Sequence, residues 1–86
     1  MKLSKDYLFH TVGEESVLVP SGNAKFSGMA RGNKTFGVVL ELLGTETTED
    51  RIVAAMKERF SAPDGVIERD VRDTLRKLRE IGAIEE

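Results

Sequence analysis

Asn33-Lys34-Thr35-Phe36-Gly37-Val38-Val39-Leu40-Glu41-Leu42-Leu43-Gly44 is the stretch on which the fold turns. Phe36, Val39, Leu40 and Leu43 stand at i, i+3, i+4 and i+7, the spacing of one helix face. Val38 and Leu42 add apolar surface on a second side. A helix that is apolar over most of its circumference belongs in the centre of a domain. Asn33 is placed to cap it, because its side-chain oxygen can accept from an orphan N–H of the first turn. Gly44 sits where a left-handed residue would end it.

Downstream, a second helix starts at Thr47 or Thr48, with Glu49 and Asp50 at the positive end of its dipole. Ile52, Val53, Met56 and Phe60 form its buried stripe. Pro63-Asp64-Gly65 closes the connection, and Asp64 or Gly65 can cap a third helix from about Val66 to Ile81, stopped by Gly82. The core stripe of that helix is Ile67, Val71, Leu75 and Leu78. Helices two and three have the lengths and short link of a helix-turn-helix. Ala83-Ile84 is free to fold back on the core, and Glu85-Glu86 should be solvated.

Upstream, Tyr7-Leu8-Phe9-His10-Thr11-Val12 and Val17-Leu18-Val19 read as two strands joined through the polar link Gly13-Glu14-Glu15-Ser16. Pro20-Ser21-Gly22-Asn23 is a turn cluster. Ala24-Lys25-Phe26-Ser27-Gly28-Met29 alternates weakly and suits a third strand at a sheet edge, given its Ser and Gly. Arg31-Gly32-Asn33 breaks the pattern. Three strands followed by three helices make a segregated α+β domain.

The chain has 86 residues, one domain spanning 1–86, and no cysteine, so disulfides and thiolate metal sites are excluded. No apolar run approaches the roughly 18 residues of a membrane span, and no apolar segment of a signal peptide follows Met1 to Asp6. A cytoplasmic location is the expectation, without membrane association. One third of the residues are charged, yet the net charge is −2. The basic excess of a phosphate-gripping domain is missing, so no nucleic-acid partner is expected.

Catalytic equipment is also missing. His10 is the one histidine and has no neighbouring carboxylate or second histidine to suggest a base or a metal. Ser16, Ser21, Ser27 and Ser61 lack an activating context. Gly28 to Thr35 ends in Lys-Thr after two glycines, but Asn33 stands between Gly32 and Lys34, which breaks the phosphate-loop register. No enzymatic role, metal or cofactor is expected.

The third helix carries two surfaces of interest. Arg69, Arg72, Arg76 and Arg79 form one stripe well off the core face. It suits a DNA recognition helix, an anchor for acidic residues, or, as the favoured reading, a solvated face paired with Glu68, Asp73 and Glu80. On the other flank lie Asp70, Thr74, Lys77 and Ile81, whose mixed polarity suits a rim or a shallow binding groove.

The stretch from Phe26 to Gly44 resembles the central segment of the PqqD family. So do Thr47-Thr48-Glu49-Asp50-Arg51-Ile52-Val53, Ile67-Glu68-Arg69-Asp70-Val71, and the run of Leu75, Leu78, Ile81, Gly82, Ala83 and Ile84. The resemblance covers about residues 7 to 84. Gly32 departs from it, standing where the family usually has a large aliphatic residue, and Val39-Leu40 replaces a common Ile-Trp.

The resemblance implies a recognition element for ribosomally made, post-translationally modified peptides, or RiPPs. Its fold would be a winged helix-turn-helix, a three-stranded antiparallel sheet followed by three helices. It would bind the leader segment of a precursor as an added strand beside the third strand and against the third helix. It would present the core peptide to a partner such as a radical SAM enzyme, a leader protease or a cyclase. The residues expected to bind peptide are Lys25, Phe26, Ser27, Gly28 and Met29 on the edge, with Asp70, Val71, Thr74, Lys77 and Leu78 on the third helix. The alternative is a DNA-binding winged helix-turn-helix regulator using the arginine stripe. An exposed edge also permits either a monomer or a dimer.

Overall fold

The computed structural model describes residues 1–21 and 29–86. The elements run β1 (Lys2–Leu3), β2 (Tyr7–Val12), β3 (Glu15–Pro20), β4 (Ala30–Gly32), α1 (Lys34–Leu42), α2 (Glu49–Arg59), α3 (Val66–Glu80) and β5 (Ile84–Glu85). β2, β3 and β4 form an antiparallel sheet in that order. Three helices follow it, giving the α+β winged helix-turn-helix arrangement.

The central helix forms as its spacing predicts. Val38, Val39, Leu40 and Leu43 are buried, and Asn33 Oδ1 accepts from the Phe36 N–H at 3.2 Å. The helix lies close on the sheet because Gly37 has no side chain. A Cβ there would collide with Oγ of Ser16 on β3. Ser16 is itself buried, and its hydroxyl is satisfied by Thr11 Oγ1 at 3.2 Å. Gly44 does not adopt the expected left-handed conformation. The helix ends instead with Leu43 in right-handed geometry and the Gly44 N–H donating to the Glu41 carbonyl at 3.1 Å.

Of the two candidate caps for α2, Thr48 does the work, its Oγ1 accepting from the Arg51 N–H at 3.2 Å. Thr47 is buried and donates its N–H to the Met1 carbonyl at 2.9 Å. Ile52 and Met56 are buried, whereas Val53 and Phe60 only lean on the core. Phe60 is already extended and closes the helix. α3 starts after Gly65, which has φ +84° and makes no side-chain cap, so the turn geometry rather than Asp64 sets its start. Ile67, Val71, Leu75 and Leu78 are all buried along one stripe. The helix ends in a Schellman motif: Gly82 has φ +74°, Gly82 N–H donates to Arg79, and Ala83 N–H donates to Leu78 at 2.8 Å.

Two corrections to the sequence reading concern strands. The third strand of the sheet is Ala30–Gly32, which includes Arg31 and Gly32 of the segment read as a break, while Met29 lies just before it, exposed. The expected strand at 24–29 otherwise falls outside the described residues. The alternation was hidden because the two inward residues, Ala30 and Gly32, are small and the outward one, Arg31, is charged. Ala30 pairs with buried Leu18 and Gly32 with buried Ser16. The second correction is a further small sheet, β1 with β5, which the sequence did not signal. It ties the folded-back tail to the start of the chain, with Leu3 N–H donating to Leu43 and Ser4 N–H to Ala83. Glu85 is consequently only half-exposed, and its carboxylate accepts from the Lys5 N–H at 3.0 Å.

Candidate peptide-binding groove

β4 is the last strand of its sheet, and among the described residues nothing pairs with its free side. Short, glycine-containing and held only on one side, it presents unpaired backbone donors and acceptors. Facing it is one flank of α3. Between them runs a groove of about 300 Å³ lined by Ala30, Arg31, Gly32 and Asn33 from the edge, Phe36 from α1, and Thr74, Lys77, Leu78 and Ile81 from α3 and its end.

The groove is built from the core outward. Leu78, 1% exposed, is its floor and belongs to the same buried stripe as Leu75. Phe36 and Ile81 are half-buried and form apolar walls, and Thr74 and Lys77 stand at the rim. Ile81 is pinned in place by Tyr7, whose hydroxyl donates to the Ile81 carbonyl. Gly32 shapes the other wall. A Cβ at Gly32 would overlap Cβ, Cγ and Cδ2 of Phe36, so the Phe36 ring fills the space a larger residue would take.

Tyr7 carries a pH consequence. Burial pushes its phenol above the ordinary value, and the Asp6 carboxylate adds to the shift. The unfolded chain therefore loses this proton first as pH rises. The contribution is intact below about pH 10 and is lost as pH climbs through the higher folded value. We expect alkaline unfolding of the wild type to include a component beginning near pH ~10 that Tyr7→Phe lacks. Circular dichroism against pH for both proteins checks it.

Of the residues expected to bind peptide, Thr74, Lys77 and Leu78 come together in the groove. Val71 is fully buried in the core, below the groove surface. Asp70 is exposed and lines a separate small cavity with Thr35, Met56, Phe60 and Val66. Lys25, Phe26, Ser27 and Gly28 lie outside the described residues. Sequence reasoning left Ala30, Arg31, Gly32, Asn33 and Phe36 out of the site, and it placed Ile81 on the groove flank without counting it among the peptide-binding residues. Ile81 had a visible signal, since it shares the flank of Thr74 and Lys77.

The arginine stripe points elsewhere. At about 100° per residue, Arg69, Arg72, Arg76 and Arg79 fall on the side of α3 roughly opposite the groove. Arg76 meets Asp73 at 3.7 Å and Arg79 meets Glu86 at 2.8 Å. Glu68 does not join the stripe. It pairs with Lys57 at 2.7 Å, a hydrogen bond that holds its carboxyl below the usual range.

The family model described as coenzyme PQQ synthesis protein D (PqqD) matches residues 15–84. The chain belongs to the PqqD family. A solved structure, "TbiB1 in Complex with the TbiA(beta) Leader Peptide", superimposes with a TM-score of 0.75 at 25% identity, covering 99% of this chain and 100% of that one. No curated protein sequence matches. The match runs from β3 to Ile84, the first residue of β5, and so includes every element that lines the groove.

Proposed function

We propose that this PqqD-family domain binds the leader segment of a ribosomally made precursor peptide and presents it to a modifying enzyme, with no catalysis of its own. The observation that carries this reading is the groove between the free edge of β4 and α3. A flexible leader can add as an antiparallel strand to such an edge, exchanging main-chain hydrogen bonds with β4. Its inward side chains would rest on Phe36, Leu78 and Ile81. The matched relative was solved with a leader peptide, which supports the same use of this fold. Ordering a flexible segment costs about 2–5 kcal/mol, which sets the expectation of moderate affinity.

The partner is a RiPP-modifying enzyme such as a radical SAM enzyme, a leader protease or a cyclase, acting on the core peptide while the leader is held. Among the described residues, no helix is long and apolar enough to cross a membrane. A cytoplasmic site of action fits a peptide met soon after its synthesis.

The test uses the full chain and a fluorescein-labelled leader peptide from a precursor encoded beside its gene. Anisotropy should rise saturably with the leader. It should stay flat with the core peptide alone and with duplex DNA. A salt-sensitive response to duplex DNA and none to the leader would overturn the proposal.

A further inference from the structure

Among the described residues the groove is lined by two cations, Arg31 and Lys77, and by no acidic residue. The chain as a whole carries a net charge of −2. Local charge at the groove therefore opposes the charge of the molecule, and it has direction. Arg31 pairs in register with Val17, on the outer face of the sheet, while its neighbours Ala30 and Gly32 turn inward opposite Leu18 and Ser16. Lys77 stands on the other side of the edge, on the α3 wall of the groove.

Neither cation is firmly engaged. Arg31 touches Glu15 at 3.5 Å, with both side chains more than half exposed. Such a pair is weak and is easily shared, since a guanidinium has five donors in a fork. Glu14 and Glu15 line the same outer surface as Arg31, so a carboxylate from an added strand would compete with them for the guanidinium. Lys77 makes no ion pair among the described residues. Asp73, one turn before it, lies nearer Arg76, at 3.7 Å.

A strand laid beside β4 sends successive side chains to opposite faces. Its outward residues pass Arg31 and its inward residues pass Lys77. Resting on the leader-binding reading, we propose that the groove selects a peptide segment bearing two carboxylates, one for Arg31 on the outer face and one for Lys77 within the groove. Because the two cations lie on opposite sides of the added strand, the two acidic residues are separated by an odd number of positions. The paired charges fix the register of the added strand, which main-chain hydrogen bonds alone leave free to slip.

A displayed library of random strand-length peptides, selected on the full-length wild type, Arg31→Glu and Lys77→Glu, tests this. Both substituted side chains are exposed, and circular dichroism confirms that each variant is folded. The wild type should enrich Asp or Glu at two positions an odd number apart. Arg31→Glu should convert one of them to Lys or Arg and leave the other. Lys77→Glu should do the reverse. For an enriched peptide, replacing either acid by its amide should weaken wild-type binding about two- to fivefold, and less in high salt. Enrichment without acidic preference, or the same profile for all three proteins, overturns the charge selection and leaves peptide binding standing. Acidic positions an even number apart overturn the two-face geometry. Absence of any enriched peptide removes the peptide-binding reading and this inference together.

Discussion

Gly32→Val should destabilise the domain by about 1–3 kcal/mol, the cost of forcing extra atoms into filled space. The family usually has a large aliphatic residue at this position, so sequence resemblance alone marks the change as an improvement. The structure gives the opposite sign. A Cβ on Gly32 falls on Cβ, Cγ and Cδ2 of Phe36, which the first turn of α1 holds in place. Phe36 is fixed there by the Asn33 cap and by packing on the core. The cost belongs to this pair, and a double-mutant cycle isolates it. In a Phe36→Gly background, where all three atoms are gone, Gly32→Val should cost little. Urea denaturation of the four proteins measures the coupling. An equal cost in both backgrounds would contradict the assignment.

Thr74→Trp should weaken leader binding tenfold or more, which corresponds to about 1.4 kcal/mol. Thr74 stands half-exposed on the α3 wall of the groove, so an indole there occupies the path of an added strand. The fold should tolerate it. Trp and Thr have similar helix propensities, and substitutions at such rims usually stay within about 0.5 kcal/mol. Arg72→Ala, on the opposite face of α3, should leave binding unchanged. Anisotropy titrations of the two variants beside the wild type decide the matter. Loss of binding in Arg72→Ala with retention in Thr74→Trp would move the site to the arginine stripe.

The sequence made the helices legible because their burial is periodic. Val39, Leu40 and Leu43, then Ile52 and Met56, then Ile67, Val71, Leu75 and Leu78 all stand where helical spacing put them. Strands short enough to escape a pattern were not legible. β4 has three residues and two of them are small, and β1 and β5 have two residues each. The groove was legible on its helix side, where Thr74, Lys77 and Ile81 share a flank. Phe36 was read as core and is also groove wall, because periodicity shows which side of a helix is apolar and not which part of that side is left uncovered. Val71 shows the converse. It was read both as core and as peptide-binding, and its side chain is fully buried.

The proposed leader site lies between the edge of β4 and α3. The most direct measurement is an amide NMR titration of the isotope-labelled full chain with unlabelled leader peptide. The largest shifts should fall on Ala30 to Asn33, Phe36, Thr74, Lys77, Leu78 and Ile81, with new protection from exchange along β4. Shifts concentrated on Arg69, Arg72 and Arg76, with β4 unchanged, would contradict it.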